Sequence, residues 1–506
     1  MPALFQLERN LRHCTLQQQI RVQLVDAILG GYIPLDEPLP SSRGLAKSLK
    51  VARNTIVLVY DELAADGYLI SKERNGYYID PQFISQKIST AHRKPFNKTA
   101  NVSDTTQLIS DKHNFSWQDK IKADVKTPQN PSIAHTWQKH PFPFVYAQMD
   151  STLFPIDNWR KCWRDAVSVQ AIKDWTGDSY DSDDPLLIEQ IQKRILPNRG
   201  IHANTDEILI TVGSQQAIYL IAQLLLNSRS NFGIEDPGYI SAAHVAKLFG
   251  ASIKPLAVDH NGLVINEQLN DCDLIYTTPS YQCPTTVTMP LAKRQQLLHR
   301  ADKDDFLIIE DDYEMEINYD SNPIPALKSL DSNGRVIYIA SLSKTLAPGL
   351  RVGFMVGPKE LIQAAKKLRQ LMLKHPPLNN QRTVALFLAH GYHDTLLRKL
   401  VRTFQERRSI MANALIKYIP QCHFFNSGGS SFWCELPKEI DTQELKQSAL
   451  DAGILIITGD SYFYDKHKQN NYLKLGFSAI QSTAIEAGIK GLADLILIQN
   501  KVNQTS

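Results

Sequence analysis

The sequence predicts an α/β protein in which a small helical domain precedes a large domain with a mostly parallel sheet. The first 80 or so residues have closely spaced helical periodicity and end in a hairpin rich in glycine and tyrosine. From about residue 141 onward, short apolar strands alternate with amphipathic helices, a pattern typical of buried parallel sheets. A chain of 506 residues is also too long for one core. We expect a small domain at 1–80, a polar linker at 81–140 and a large domain at 141–506.

The composition excludes several classes of protein. The apolar fraction of 43% and the charged fraction of 21% are ordinary for a globular chain, and the net charge of +3 gives no bulk attraction to nucleic acid. The six cysteines are scattered without metal-site spacing and are too few for a disulfide framework. The sequence has no signal-peptide pattern and no long apolar run. We expect a cytoplasmic protein without a metal site or a membrane partner.

Short helices and a hairpin are predicted near the N-terminus. Residues 17–29 place their aliphatic side chains on one stripe, and a second helix begins with Ser41 or Ser42 as its N-cap. After a tight turn, a third helix opens at Arg53. Two short helices joined by a tight turn are typical of a helix-turn-helix. In that motif the later helix, here the one that opens at Arg53, presents its first turn to base edges. Periodicity alone equally fits a small helical bundle.

The segment LPSSRGLAKSLKVARNTIVLVYDELAADGYLISKERNGYYI, at 39–79, resembles the winged helix-turn-helix of the GntR superfamily over its whole length. The resemblance implies that the partner is double-stranded promoter DNA. It also implies DNA contacts from Arg43, Arg53, Asn54 and Thr55, with Gly76 at the tip of the wing.

One lysine of the large domain stands out because of its neighbours. Lys344 follows an apolar strand in the segment ASLSKTLAPGLRVG, with Ser341 and Ser343 just before it and Arg351 downstream. Hydroxyl groups and a guanidinium are donors suited to phosphate. A lysine after a strand is usually a surface residue, but this set of donors favours a phosphorylated ligand.

Acids and a glycine turn follow two other strands. Asp311 is the middle of three acids that close the strand in IIEDDYE, and Tyr313 follows two residues later. Ligands bind at such strand ends in open α/β sheets. In TVGSQQA the chain turns at Gly213, and Ser214 and Gln215 open a helix whose amides can bind an anion. A divalent-metal site at the three acids and an ordinary strand-turn-helix junction are the alternatives.

Together these features match pyridoxal 5'-phosphate (PLP), which needs a lysine amine for an imine, an acid at its pyridine nitrogen, an aromatic face and a phosphate cradle. We expect Lys344 to form the imine, Asp311 to bind the ring nitrogen and Tyr313 the phenolic oxygen, with Tyr239 of EDPGY over the ring. The predicted phosphate cradle comprises Gly213, Ser214, Gln215, Ser341, Ser343 and Arg351.

The motifs GSQQA, EDPGY, TPSYQCPTT, EDDYE and SLSKTLAPGLRVGF occur in the order and spacing of fold-type I aminotransferases, which residues 141–495 resemble. With a GntR-like domain ahead of this region, the chain is similar to the MocR subfamily of regulators. The resemblance implies the same roles for the PLP residues. It also implies a head-to-tail homodimer in which each DNA-binding domain packs against the partner's large domain.

Two residues depart from the family pattern. Tyr281 stands in TPSYQCPTT where the family more often has histidine. Lys474 stands in NYLKLGF where aminotransferases usually place an arginine that clamps the substrate carboxylate. Lysine cannot form the bidentate fork of arginine, so ordinary transamination is put in doubt unless another arginine, such as Arg382, supplies the clamp.

The leading hypothesis is a PLP-binding transcription regulator whose promoter binding responds to a small effector, either PLP or an amine that forms an imine with it. The alternative is an active PLP-dependent aminotransferase with a secondary DNA-binding domain. A third hypothesis, in which the large domain serves only dimerisation, is disfavoured because the complete set of PLP residues is present.

Overall fold

A computed structural model of the chain divides into two compact units, residues 1–116 and 117–506. The described residues are 5–9, 14–72, 75–81, 116–117, 120–121, 136–146, 148–177, 182–314, 316–319, 324–342, 344–425, 427–464 and 471–505. Ser343 and most of the predicted linker lie outside them.

The first unit contains three helices and an antiparallel hairpin among its described residues. Their bounds are α1 Leu16–Leu29, α2 Ser42–Leu49, α3 Arg53–Ala65, β1 Leu69–Lys72 and β2 Gly76–Ile79. The Thr15 side chain caps α1, and the Ser41 hydroxyl accepts the Gly44 amide of α2 at 3.1 Å. The prediction that Ser41 or Ser42 caps the second helix is therefore confirmed for Ser41.

Apolar side chains of the three helices form a single core in the first unit, and tyrosines attach the hairpin to it. Ile20, Ile56 and Leu63 are fully buried in this core. The ring of Tyr77 on β2 lies 5.1 Å from that of Tyr60 on α3, and the Tyr60 hydroxyl donates to the Pro40 carbonyl at 2.9 Å. This packing fixes the hairpin as a wing beside the helix-turn-helix.

The second unit is built on an eight-stranded mixed sheet. Its strands, preceded by the short β3 Phe142–Pro143, are β4 Ile208–Thr211, β5 Asn231–Asp236, β6 Ser252–Asp259, β7 Gly262–Leu263, β8 Leu274–Thr277, β9 Leu307–Asp311, β10 Val336–Ser341 and β11 Gly353–Val356. The order across the sheet is β4-β11-β10-β9-β8-β5-β6-β7. The five central strands from β10 to β6 run parallel, whereas β11, β4 and β7 join by antiparallel pairs.

Helices of the second unit cover both faces of this sheet. They are α4 Ile156–Ala166, α5 Val169–Trp175, α6 Pro185–Gln190, α7 Ser214–Leu225, α8 Ile240–Leu248, α9 Leu291–Asp304, α10 Leu327–Leu330, α11 Lys359–Leu373, α12 Leu378–Ala389, α13 Tyr392–Tyr418, α14 Thr442–Asp451 and α15 Ser482–Thr505. Alternate strand residues enter different cores: Ile210 and Tyr338 pack on one face, Leu209 and Ile339 on the other. The predicted α/β fold with a mostly parallel sheet is confirmed.

A second, smaller sheet follows in the chain. It consists of β12 His423–Phe425, β13 Ser431–Glu435, β15 Ile457–Thr458 and β16 Tyr472–Gly476, whereas β14 Ile454–Leu455 pairs with β3. Its strands are antiparallel, and Trp433 is paired with Lys474. No described helix is long and apolar enough to cross a membrane.

Candidate cofactor site and DNA-reading face

The predicted lysine and acid lie at one edge of the large sheet. β9 ends at Asp311, which is paired with Ile339 of the parallel strand β10. Lys344 is the third residue after the end of β10. Glu310 and Asp311, the first two of the three acids, are the last residues of β9. The hydrogen bonds between β9 and β10 therefore fix the backbone position of Asp311.

Asp311 has one satisfied and one unsatisfied carboxylate oxygen. The side chain is 3% exposed, and the Tyr276 hydroxyl donates to its Oδ2 at 2.7 Å. Its Oδ1 has no hydrogen-bond partner in the described part of the chain. Burial raises the pKa of Asp311 to about 7, although the Tyr276 hydrogen bond opposes this change. A buried acceptor without a donor fits the protonated nitrogen of a pyridine ring.

The two acids beside Asp311 point to the opposite face of β9 and have structural partners. Glu310 accepts the backbone amides of Leu327 at 2.8 Å and of Lys328 at 2.7 Å. Asp312 pairs with Arg199 at 2.7 Å in a buried ion pair. Among the described residues no group of His, Cys, Asp or Glu could hold a metal ion, so the metal alternative receives no support.

Lys344 is half-buried among aromatic rings. Its Nζ lies 4.4 Å from the ring centroid of Tyr146 and 5.9 Å from that of Tyr313. Loss of hydration lowers the pKa of Lys344 to about 8, against the attraction of Glu314. Roughly a tenth of the amine is then neutral at pH 7, which suits a nucleophile.

The glycine turn and the arginine of the predicted phosphate cradle lie side by side. Gly213 has φ 76° at the start of α7, and a Cβ there would lie 2.5 Å from Nη2 of Arg351. That guanidinium donates to the Val212 carbonyl at 3.1 Å. It therefore lies close to the free amides that open α7 at Ser214 and Gln215, and both features favour an anion.

Tyrosines connect the two ends of the candidate site. The Tyr239 hydroxyl donates to Gln215 Oε1 at 2.8 Å, and its ring lies 6.2 Å from that of Tyr276, which holds Asp311. The Tyr313 hydroxyl donates to the Tyr281 carbonyl at 2.9 Å. Sequence reasoning missed Tyr276 and Tyr146; the polar hydroxyl within the apolar strand DLIY was the only signal for Tyr276.

Lys474 lies in the same aromatic cluster and is fully buried. Its Nζ is 3.5 Å from the Tyr146 ring centroid and 4.0 Å from Cys283 Sγ, and burial lowers its pKa. No carboxylate of the described residues lies within ion-pair distance of it. Arg382, the proposed substitute clamp, is instead paired with Asp184 at 2.6 Å. The suggestion that Arg382 binds a substrate carboxylate is therefore not supported.

The predicted DNA-contacting residues are presented on the first unit. Arg43 on α2 is exposed, as are Arg53 and Asn54 in the first turn of α3, whereas Thr55 is half-buried. Arg53 Nε lies 3.4 Å from Ser42 Oγ, so the two helix starts are adjacent. Gly76 is exposed at the start of β2 with φ 94°, a conformation that favours glycine.

Comparisons with known proteins match each of the two units to a different family. The pattern of the family "Aminotransferase class I and II" matches residues 146–490, and that of "Bacterial regulatory proteins, gntR family" matches residues 16–79. The chain is 36% identical over 484 residues to the HTH-type transcriptional regulator TauR of Rhodobacter capsulatus, covering 95% of this chain and 96% of TauR.

Two further proteins resemble this chain. The probable rhizopine catabolism regulatory protein MocR of Rhizobium meliloti is 26% identical, with 95% of this chain and 94% of MocR covered. The crystal structure of LysN, an alpha-aminoadipate aminotransferase from Thermus thermophilus complexed with N-(5'-phosphopyridoxyl)-L-leucine, has a TM-score of 0.69 and 25% identity, and covers 77% of this chain and 100% of LysN.

Proposed function

Because this chain belongs to the MocR-type HTH transcription regulators, which join a GntR domain to an aminotransferase class I and II domain, we propose that it binds PLP and that PLP or a reactive amine controls its binding to promoter DNA. The observation that carries the proposal is the unsatisfied Oδ1 of buried Asp311 at the same sheet edge as Lys344. PLP, when bound, supplies an aldehyde that an amine can capture and a ring that withdraws electrons.

The residues of the site have separate tasks in this proposal. The neutral fraction of Lys344 provides the amine, and the Asp311 carboxylate keeps the ring nitrogen protonated. The amides that open α7, together with Arg351, bind the phosphate, and Ser341 and Ser343 are expected to contribute hydroxyls. Tyr239 covers the ring, and the Tyr313 hydroxyl binds the phenolic oxygen.

Lys474 supports a sensor rather than a catalyst. An ammonium on a flexible stem replaces the planar fork that binds an α-carboxylate well, so common amino acids should bind weakly. We therefore propose that the effector is PLP itself or an amine without an α-carboxylate. The domain limits 1–80, 81–140 and 141–506 and the head-to-tail homodimer belong to the same proposal.

Borohydride reduction and peptide mapping test the cofactor site. We expect the full-length protein to carry covalently bound PLP on Lys344, and Lys344→Ala to lose it. The exposed Lys303 on α9 provides a control, since Lys303→Ala should keep the cofactor. Cofactor on any other lysine contradicts the assignment. A mobility-shift titration of promoter DNA with and without PLP then tests the response.

A second candidate function is aminotransfer, which is favoured by the presence of both Lys344 and Asp311. Steady-state assays with a panel of amino acids and 2-oxoglutarate distinguish the two functions. Rapid multiple turnover with any of them would establish an enzyme and reject a role limited to sensing.

A further inference from the structure

A cavity of about 350 Å³ lies between the two sheets of the second unit. Asp236 and Asp259, at the ends of β5 and β6, contribute to its wall from the large sheet. Trp433, Glu435 and Tyr472 contribute from the small sheet, and none of the residues assigned to PLP lines the cavity.

Aromatic rings form one side of this cavity. Trp433 and Tyr472 are stacked, with centroids 5.2 Å apart and an interplanar angle of 16°. Phe463 completes the group at 5.7 Å from Tyr472 and 6.3 Å from Trp433. The rings stay together because β13 and β16 pair Trp433 with Lys474 and Glu435 with Tyr472. Such ring faces attract organic cations.

The charges of the wall have the complementary sign. Asp236, Asp259 and Glu435 carry carboxylates, whereas the described lining residues include one histidine, His260, and no lysine or arginine. Lys293 pairs with Asp259 at 2.8 Å, but Glu435 has no cationic partner in the described part of the chain. Burial and the neighbouring Glu435 raise the pKa of the Tyr472 hydroxyl to about 12, which keeps the ring neutral.

Trp433 adds a polar group to the cavity wall. The side chain is 2% exposed and lines the cavity, and its indole carries an N–H group. Indole N–H is a hydrogen-bond donor only, so it can bind an acceptor that a ligand supplies. The cavity thus combines a carboxylate, ring faces and a hydrogen-bond donor.

We propose that this cavity binds a small organic ammonium ion that carries a hydrogen-bond acceptor a few atoms away. The ammonium group contacts the rings and the Glu435 carboxylate, and the indole N–H donates to the acceptor. Trp433 also contacts Tyr462 of the aromatic cluster around Lys474, with ring centroids 5.8 Å apart. The cavity is therefore a second ligand site, which Trp433 connects to the aromatic cluster around Lys474 and which requires no PLP.

Calorimetric titration of the full-length protein with choline and with its uncharged isostere 3,3-dimethyl-1-butanol tests this site. Both probes have the same shape and hydroxyl group, so only the positive charge differs. We expect choline to bind about tenfold more tightly, since a partly buried cation–ring contact has that strength. Glu435→Gln and Tyr472→Leu should each weaken choline at least fivefold, whereas Glu439→Gln on the exposed turn should not.

The possible outcomes distinguish a failure of this proposal from a failure of the PLP assignment. Equal binding of the two probes, or no binding of choline at millimolar concentration, overturns it. Lys344→Ala removes the covalent attachment of PLP but leaves the cavity wall intact, so choline binding should survive there; its loss would show that the cavity is not an independent site. Should Tyr472→Leu fail to fold, Glu435→Gln still decides the result.

Discussion

Removing the Tyr276 hydroxyl perturbs Asp311 while leaving the carboxylate in place. This hydroxyl is the hydrogen-bond donor to Oδ2, at 2.7 Å, and it opposes the increase in pKa caused by burial. A hydrogen bond to a charged group contributes about 1.5 kcal/mol, which corresponds to about one pKa unit. In Tyr276→Phe the pKa of Asp311 should therefore rise from about 7 to about 8.

The consequence for PLP depends on pH in a defined direction. A protonated ring nitrogen needs the ionised form of Asp311, and raising a carboxyl pKa removes that form at neutral pH. At pH 7 the ionised fraction falls from about one half to about one tenth, so the affinity for PLP should fall about fivefold. At pH 9 both proteins are about nine-tenths ionised or more, and the difference should nearly disappear.

Absorbance titrations of PLP at pH 7 and pH 9 measure this effect. The titration of Lys344 is common to both proteins and cancels in the ratio of affinities. Tyr338→Phe is the matched control, because its buried hydroxyl donates to Asp312 at 3.0 Å instead of Asp311. The reasoning is refuted if Tyr276→Phe binds PLP normally at pH 7, if the loss is equally large at pH 9, or if Tyr338→Phe shows the same change.

Three other substitutions probe separate parts of the molecule. Arg53→Ala should weaken promoter binding by about 1–3 kcal/mol in a mobility-shift assay and leave PLP binding unchanged. The control Lys47→Ala, on the exposed face of α2, should change promoter binding by less than about 0.5 kcal/mol. Asp312→Ala leaves the buried Arg199 cation unpaired and should lower the free energy of unfolding by about 3–5 kcal/mol in urea. The control Asp206→Ala, which removes the exposed ion pair with Lys359, should lower it only slightly. Lys474→Arg should increase any turnover of amino acids with 2-oxoglutarate, and a variant no faster than the unmodified protein would contradict the role given to that position.

The chemistry of the site could be predicted where it depends on local order along the chain. Lys344 and Asp311 both follow buried strands, and parallel strands bring their carboxyl ends to one edge. The alternation of side chains along β9 also explains why only the middle acid of the three faces the candidate site.

Contacts between distant segments could not be predicted in this way. Tyr276 donates to a carboxylate 35 positions later, and Tyr146, close to both lysines, belongs to no motif. The stacked pair of Trp433 and Tyr472 depends on the register of two antiparallel strands, which periodicity does not specify. These residues complete the surroundings of the motifs, so the sequence indicates reacting groups more readily than the environment that adjusts their pKa.

Lys474 shows why that environment matters. The sequence indicates that a lysine ammonium replaces the arginine guanidinium that binds a substrate carboxylate, and this alone predicts weaker binding of that carboxylate. The structure adds that the ammonium is fully buried against ring faces and the Cys283 thiol, and that no carboxylate of the described residues lies within ion-pair distance of it. Burial lowers the pKa of Lys474 because nothing there replaces the lost hydration well. An anionic group of a ligand would restore that balance, so ligand charge and the protonation of Lys474 are thermodynamically linked. A site of this kind distinguishes ligands by charge more than by the geometry of a carboxylate, which suits a sensor better than a transaminase.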